Sequence, residues 1–304
     1  VVTITLGWNK TSDRICVTAN SYSGTVKVAD GKGLTDREYY YSGSLTDEQI
    51  TAINGKTLVP AYRVSFGDGI EHGNIVPDKP FIAAEAEDKT VTLQVNPDAG
   101  YFIESLTATD ANNNAVTITN NTFTMPASDV TLSATFTKTI ASVIVGENET
   151  YYGSYSAAET AAKAAYVAAQ GETAAVVPTL KLYDDINYGA NSLQIGNGTN
   201  AFEMTLDLNG HRFYGKGAQV GNIISNLIYI APKAKLTVVD TSTGENKGSI
   251  ECTETYGQCI INCGTLNLNG GIVKYSGKQG IVVCNYDGGL MTLDGATING
   301  KPTS

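Results

Sequence analysis

Short runs of alternating apolar and polar residues dominate the chain, and most of them end at Gly, Asn, Asp or Pro. Alternation with a period of two is typical of β-strands with one buried face, and turn-forming residues that close each run keep the strands short. Examples are "VTITLGW" near the start, "KTVTLQVNP" in the middle and "MTLDLNG" further on. The pattern predicts an all-β protein built from many short strands.

The last hundred or so residues repeat a strand–corner–strand unit with a spacing of about 22 to 25 residues. When "QCIINCGTLNLNGGIVKYSG" is aligned with "GIVVCNYDGGLMTLDGATING", Ile261 falls on Cys284, Asn262 on Asn285, and Leu268 on Leu293. A β-type repeat of this length predicts coils that stack into a solenoid, about four of them from about residue 176 onward, each burying its apolar face against its neighbours.

Polar residues at the coil corners are expected to face outward. Along "MTLDLNG", alternation predicts that Leu206 points inward, whereas Asp207 and Asn209 face out or occupy the corner. Asn262 and Asn285 are expected to lie one above the other. An asparagine there can adopt a left-handed corner conformation and donate a hydrogen bond along the stack.

One segment breaks the strand pattern. The run "SAAETAAKAAYVAAQ" is rich in alanine, the strongest helix former, and Ser156 and Glu159 have the spacing of a capping box. These features predict a helix over about residues 156–170. Its small residues, Ala158 and Ala162 among them, form a flat face that we expect to lie across the open end of the first coil and cover its edge strands.

Composition excludes several classes of function. The chain has 304 residues, long enough for two or three domains, of which only 16% are charged, and its net charge is −10. Because no basic stripe is present, no nucleic acid partner is expected. No apolar run approaches the ~18 residues that cross a bilayer, and "VVTITLGW" does not read as a signal peptide, so no membrane insertion is predicted.

Five cysteines are present, four of them in the repeating part. The repeat places Cys259 and Cys263 on one strand face, and we interpret these cysteines as small buried apolar residues inside the coils. A zinc site is an alternative, although the spacing matches no familiar pattern. A disulfide between stacked coils is another. The redox state of the five stays open: Cys16, Cys252, Cys259, Cys263 and Cys284.

The stretch "TVTLQVNPDAGYFIESLTATDANNNAVTITNNTFTMPASDVTLSATF" resembles the divergent internalin-type B repeat of bacterial surface proteins, over about residues 61–138. The resemblance implies a small β-grasp-like domain that serves as a spacer or display module, without catalysis. Its acidic residues are interpreted as a solvated surface, with calcium binding as the lesser alternative, because they follow no ion-wrapping spacing. They are Glu71, Asp78, Glu85, Glu87 and Asp88.

A second resemblance covers both ends of the chain. The segments "MTLDLNGHRF", "IYIAPKAKLTVVD" and "INCGTLNLNGGIV" resemble the right-handed parallel β-helix regions of large bacterial adhesin-like surface proteins. Residues 1–60 resemble the closing segment of such a region. We therefore expect three parts: a β-rich segment at 1–60, the B-repeat-like domain at 61–138, and a parallel β-helix with its capping helix at 139–304.

Some parallel β-helices are polysaccharide lyases or hydrolases, whose sites need several carboxylates on adjacent coils, or carboxylates that bind calcium beside a basic residue. The candidates do not converge in the predicted register, and His211 and Arg212 are interpreted as an exposed corner. The candidates are Asp184, Asp185, Asp207, Asp240, His211 and Arg212. The aromatic side chains are expected either to stack on sugar rings or to cover the ends of the coils and the domain junctions. They include Trp8, Tyr39, Tyr40, Tyr41, Tyr151, Tyr152 and Tyr155. No catalytic residue, metal or cofactor is predicted.

The sequence thus favours an extracellular structural or adhesive module of a bacterial surface protein that acts as rod, spacer or display scaffold, and not an enzyme. A glycan-binding module and a glycan lyase or hydrolase are the alternatives. Partners are expected to be host or plant glycans or proteins, or the chain itself. For self-association, the last coil of one subunit would meet the first strands of the next, giving a head-to-tail fibre; the other explanation is a segment of a longer tandem protein. The predicted assembly residues are Val1, Val2, Ile4, Leu6, Trp8, Leu290, Leu293 and Ile298.

Overall fold

The computed structural model describes residues 6–9, 14–18, 23–26, 39–42, 61–83, 86–168, 176–221, 223–286 and 288–300. This part of the chain is predominantly β-structure with a single α-helix, in agreement with the predicted all-β class. The chain divides into two compact units, Val1–Phe136 and Thr137–Ser304.

The first unit begins with a small sheet whose strand order is β1-β2-β4-β3. Strands β2 and β4 are parallel, and the other two pairings are antiparallel. Its strands are β1 (Leu6–Asn9), β2 (Arg14–Thr18), β3 (Ser23–Val26) and β4 (Tyr39–Ser42).

Two further sheets complete this unit, and a separate apolar core lies within it. Its strands are β5 (Ala61–Phe66), β6 (Gly73–Pro77), β7 (Phe81–Ala83), β8 (Thr90–Pro97), β9 (Tyr101–Asp110), β10 (Ala115–Val116), β11 (Thr122–Thr124) and β12 (Val130–Lys138). The sheet orders are β10-β9-β12-β5-β7 and β11-β8-β6. Val91, Phe123 and Leu132 are buried in the core. Residues 61–83 and 86–136 contain no helix, so the finer β-grasp-like description stays a prediction.

The described residues of the second unit form the helix and seventeen strands. They are β13 (Ala141–Val145), β14 (Asn148–Tyr152), α1 (Tyr155–Ala168), β15 (Thr179–Leu182), β16 (Ile186–Gly189), β17 (Leu193–Ile195), β18 (Phe202–Asp207), β19 (Arg212–Gly215), β20 (Ala218–Val220), β21 (Ile223–Ile230), β22 (Ala234–Val239), β23 (Ser249–Cys252), β24 (Tyr256–Asn262), β25 (Thr265–Leu268), β26 (Ile272–Tyr275), β27 (Gln279–Asn285), β28 (Leu290–Leu293) and β29 (Thr297–Gly300).

From β15 onward the chain contributes strands to three sheets in turn, and we call each circuit through the three sheets a pass. The sheet orders are β14-β13-β15-β18-β22-β25-β28, β16-β19-β23-β26-β29 and β17-β21-β24-β27, and the pairings between successive passes are parallel. The predicted register is confirmed, because Ile261 pairs with Cys284, Asn262 with Asn285, and Leu268 with Leu293.

Apolar side chains stack in columns along the interior of this unit. Leu180, Leu206, Val238 and Leu268 pair in sequence across four neighbouring strands and are all buried. Each strand places alternate residues on one face, so parallel pairing in register keeps the apolar face of every pass against that of the next. The core of the unit is therefore one continuous cluster.

The helix begins one residue earlier than predicted and is capped by a different serine. The Ala157 N–H donates to Ser154 Oγ at 3.3 Å, so Ser154 and not Ser156 is the N-cap. Ala158 and Ala162 are buried as expected, and the Tyr166 ring packs 4.9 Å from Phe202. Helix α1, the one helix in the described part of the chain, is not long and apolar enough to cross a membrane.

Candidate functional site

Of the two positions predicted for Asp207, facing outward or occupying the corner, the structure contradicts the first and agrees with the second. The Asp207 side chain is only 2% exposed, and its carboxylate accepts hydrogen bonds from the Asn209 N–H at 3.0 Å and from the Thr241 hydroxyl at 2.6 Å. The chain turns directly after this residue, where Asn209 and Gly210 both adopt positive φ, which Asn and Gly tolerate best. Asp207 therefore joins the corners of two successive passes instead of facing solvent.

Asp240 has the equivalent role one pass later. Its carboxylate accepts the N–H groups of Gly210 and Gly248, both at 2.8 Å. Partial burial raises the pKa of Asp240, but these backbone N–H groups and Ser242 outweigh it and hold the pKa below its usual value. Asp207 and Asp240, two of the four aspartates weighed as candidates, thus hold backbone N–H groups at corners.

His211 and Arg212 lie at the corner where the prediction placed them. His211 Nδ1 is 3.8 Å from Asp185 Oδ1, and the same carboxylate oxygen accepts the Arg212 backbone N–H at 2.8 Å. Asp184 forms an ion pair with Lys138. Asp185, His211 and Arg212 thus meet at one corner, although the sequence predicted no convergence, while Asp184 pairs with Lys138.

The charged residue that sequence reasoning missed is Glu251, on the outer face of β23. Its carboxylate lies 2.8 Å from the Arg212 guanidinium and 3.2 Å from Lys274 Nζ. Burial raises the pKa of Glu251, but hydrogen bonds from Ser276, Arg212 and Lys274 lower it by more. The pKa of Glu251 is therefore below its usual value. The sequence repeat could have revealed this ion pair, because aligning these two passes places Glu251 beside the oppositely charged Lys274.

This ion-pair group holds one carboxylate between two cations. A general acid needs a raised pKa, and glycoside hydrolysis uses a pair of carboxyl groups. Glu251 is instead held as an anion, with Tyr214 beneath the Arg212 guanidinium at 4.4 Å from the ring centre. The geometry suits an electrostatic support across three adjacent strands.

Four cysteines are free thiols, and only two of them lie in the core. Cys252 and Cys259 are fully buried, and burial raises the pKa of both thiols. Cys263 and Cys284 are half-buried, which differs from the predicted single buried face for Cys259 and Cys263. Cys16 lies on β2, and its side chain is outside the description.

Asn262 connects two neighbouring passes, as the alignment predicts. Its amide donates to Asn285 Oδ1 at 2.6 Å and to the Leu290 carbonyl at 2.9 Å, and its own oxygen accepts the Gly264 N–H at 3.1 Å. The left-handed conformation predicted for this asparagine is wrong, because Asn262 ends strand β24 and Asn285 ends β27. Positive φ occurs instead at Asn209.

The predicted assembly residues lie either near the start of the chain, where no side chain is described, or on strands β28 and β29. Val1, Val2 and Ile4 lie outside the described residues, and Leu6 and Trp8 lie on β1, where side chains are not described. Ile298, on β29, is half-buried against the core of the second unit.

Strand β28 exposes apolar side chains that belong to the interior columns. Met291 pairs with the buried Leu266 and Leu293 with the buried Leu268, yet Met291 is 40% exposed and Leu293 51%. Leu290, on the same strand, is 67% exposed. The described residues therefore end the columns without covering them.

The aromatic residues considered for sugar stacking differ in their exposure. Tyr155 is buried, with its ring 5.4 Å from Phe213 and 5.5 Å from Tyr188, whereas Tyr151 stays exposed. Glu159, one turn along the helix, accepts the Tyr188 hydroxyl at 2.9 Å and pairs with Lys163 at 2.6 Å. Tyr155 thus supports the junction between the helix and the first pass, the less specific of its two predicted roles. No group of three or more His, Cys, Asp or Glu that could hold a metal ion occurs among the residues the structure describes.

Comparison with known proteins supports one part of the chain. Residues 69–140 match the family model of the divergent InlB B-repeat domain. No curated protein and no solved structure gives a significant match to the chain. The similarity thus covers the two-sheet segment and suggests a module of a surface protein.

Proposed function

We propose that this chain is an extracellular structural module of a bacterial surface protein. In it, a B-repeat-like spacer is followed by a parallel β-helix that serves as a display scaffold. The observation that carries the proposal is the match of residues 69–140 to a repeat family of surface proteins. The stacked passes support it, because a solenoid presents extended outer faces built from the same repeating register.

The proposal includes a structural role without catalysis. Its support is that Asp207 and Asp240 hold backbone N–H groups, while Glu251 is paired with two cations. These contacts stabilise corners and an outer sheet face, and none of them leaves a raised-pKa acid beside a second carboxylate.

Immunolabelling of the source cells tests the location. Antibodies raised against the purified chain are expected to label intact, unpermeabilised cells. Labelling only after permeabilisation would overturn the surface assignment. An antibody against a cytoplasmic protein of the same cells serves as the control for cell integrity.

A reducing-end and unsaturated-product assay on a panel of plant and bacterial polysaccharides tests the absence of catalysis. No product above a heat-treated control is expected. Product release that Glu251→Gln abolishes, but the exposed-site variant Asp294→Asn does not, would replace the scaffold by an enzyme.

The exposed edge of β28 favours a second role, head-to-tail association of copies of the chain. Met291 and Leu293 are exposed in the described part of the chain, and a further apolar layer would cover them. The proposed source of that layer is the β-rich segment at 1–60 of a second copy, with Leu6 and Trp8 on β1.

Light scattering with the double variant Leu290→Asp, Leu293→Asp tests this association. The wild-type mass is expected to rise with concentration and the mass of the double variant to stay monomeric. Val76→Asp is the matched control, since Val76 is an exposed apolar residue of β6, in the first unit. A monomeric wild type at high concentration, or a double variant that still associates, would rule the interface out.

A further inference from the structure

A cleft of about 630 Å³ lies between helix α1 and the first pass of the stack, a volume within the range of small-molecule sites. One wall is the helix, from Tyr155 to Thr160, and the other runs along β16 and β17, from Ile186 to Gln194. A second cleft of about 720 Å³ continues from it and shares Glu159, Ser192 and Gln194 with the first. Together they form a groove with room for more than one sugar-sized unit.

The described residues that line this groove are rich in hydrogen-bonding groups and together carry no net charge. Glu159 and Lys163, which contribute the two charges, neutralise each other in an ion pair with 2.6 Å between oxygen and nitrogen. The other polar side chains are hydroxyls and amides. They include Thr160, Asn187, Tyr188, Asn191, Ser192 and Gln194. A lining of this kind favours a neutral ligand with many hydroxyl groups over an ion.

Several of these groups are already oriented by the protein. Tyr188 donates its hydroxyl to Glu159 at 2.9 Å, and the Asn191 amide donates to the Tyr188 carbonyl at 2.9 Å, which leaves the Asn191 side-chain oxygen as an acceptor. Gln194 is exposed on β17, and its side-chain amide forms no hydrogen bond with the residues that the structure describes. At the groove wall, the buried Tyr155 hydroxyl has no hydrogen-bond partner among the described residues.

We propose that this groove binds a neutral oligosaccharide, with Asn191 and Gln194 as its hydrogen-bonding residues. The amide groups fit sugar hydroxyls, which both donate and accept, and the half-buried Tyr188 ring offers an apolar surface beside them. This inference goes beyond the scaffold proposal and does not depend on it, since the groove belongs to the second unit wherever the protein is located.

A glycan array with neutral, sialylated and sulfated glycans is the first test, and binding to at least one neutral glycan is expected. Calorimetry with that glycan then compares variants. Asn191→Ala and Gln194→Ala are each expected to weaken binding at least ten-fold, while Asn269→Ala, an exposed asparagine beyond the groove lining, leaves it unchanged. Circular dichroism checks that the variants remain folded.

Three outcomes would overturn the proposal. They are the absence of any bound glycan, binding confined to acidic glycans, and neutral-glycan binding that neither groove variant weakens. A peptide that displaces the glycan, and whose own binding is weakened by Gln194→Ala, would also overturn it and would assign the groove to a protein partner. None of these results bears on the surface labelling experiment, so failure of the two proposals can be told apart.

Discussion

Buried and half-buried polar residues hold successive passes of the second unit together. Asn262, Asp207 and Asp240 each bond to backbone or side chains of a neighbouring pass, at distances between 2.6 and 3.0 Å. Backbone groups at the corners cannot all pair within a sheet, and a buried group without a partner costs free energy. These side chains supply the missing partners.

Replacing Asn262 by Ala is expected to lower the free energy of unfolding of the second unit by about 2–4 kcal/mol. The variant removes three hydrogen bonds and leaves the Gly264 N–H and the Leu290 carbonyl without that partner. Urea unfolding followed by circular dichroism measures the effect. Asn269→Ala, at an exposed position, is the control and should change stability by less than about 0.5 kcal/mol; equal losses in the two variants would contradict this role.

Asp240 should make the second unit sensitive to acid. Its pKa is lowered in the folded state, so its contribution is present above the pKa of an unfolded aspartate, about 3.9, and is lost as the pH falls through the lower folded value. Asp240→Asn is expected to destabilise the unit at pH 7 by about 1–3 kcal/mol, because the amide presents donors to the N–H groups of Gly210 and Gly248.

Urea midpoints measured from pH 7 down to pH 2 test this expectation. The loss of stability below about pH 4 should be smaller in Asp240→Asn than in the wild type. Asp294→Asn removes an equal charge at an exposed position and should retain the wild-type profile. Identical pH profiles for the wild type and Asp240→Asn would refute the assignment.

At the scale of elements, the helix and the strands are specified by different kinds of information. Strand pairing follows the register of apolar columns, so that each strand of the stack is aligned by the previous one. The helix has no such template. Its start depends on which serine reaches a free N–H group, and its orientation on the ring contacts of Tyr155 and Tyr166.

The N-cap can be identified by a pair of serine substitutions. Ser154→Ala is expected to lower stability by about 1 kcal/mol, because it removes the acceptor of the Ala157 N–H. Ser156→Ala is expected to change it by less than about 0.5 kcal/mol, since that serine is exposed within the first turn. Thermal unfolding of both variants decides the matter, and the reverse order would restore the capping box of Ser156 and Glu159.

At the scale of the whole molecule, two separate apolar cores underlie the two units. Val91, Phe123 and Leu132 belong to the first core, and Leu206 and Leu266 to the second. The B-repeat-like segment and the stacked strands thus each have a core of their own, as expected for modules that are combined along a chain.

Core truncations in the two units should act on different unfolding transitions. Phe123→Ala is expected to cost the first unit about 3–5 kcal/mol and Leu266→Ala to cost the second about 2–5 kcal/mol. Differential scanning calorimetry should show each variant lowering the midpoint of one transition only. A single transition that both substitutions shift equally would mean that the chain unfolds as one cooperative body.

The residue pattern alone determined the strand-rich fold, the helix near residues 156–170 and the pairing of Asn262 with Asn285. It did so because alternation and repeat register are local, periodic properties, and parallel stacking copies them from one pass to the next. The B-repeat segment was likewise recognisable from the letters of a single stretch.

Only the tertiary structure decided that Asp207 is buried, that Ser154 caps the helix, and that Glu251 lies between Arg212 and Lys274. It also decided that a polar groove runs beside Glu159. Most of these features depend on partners that come from another pass of the chain. The local sequence around each of them is equally compatible with an exposed corner or a solvated helix face. Burial and hydrogen bonding are set by which segments meet in space, and alternation along a strand does not contain that information.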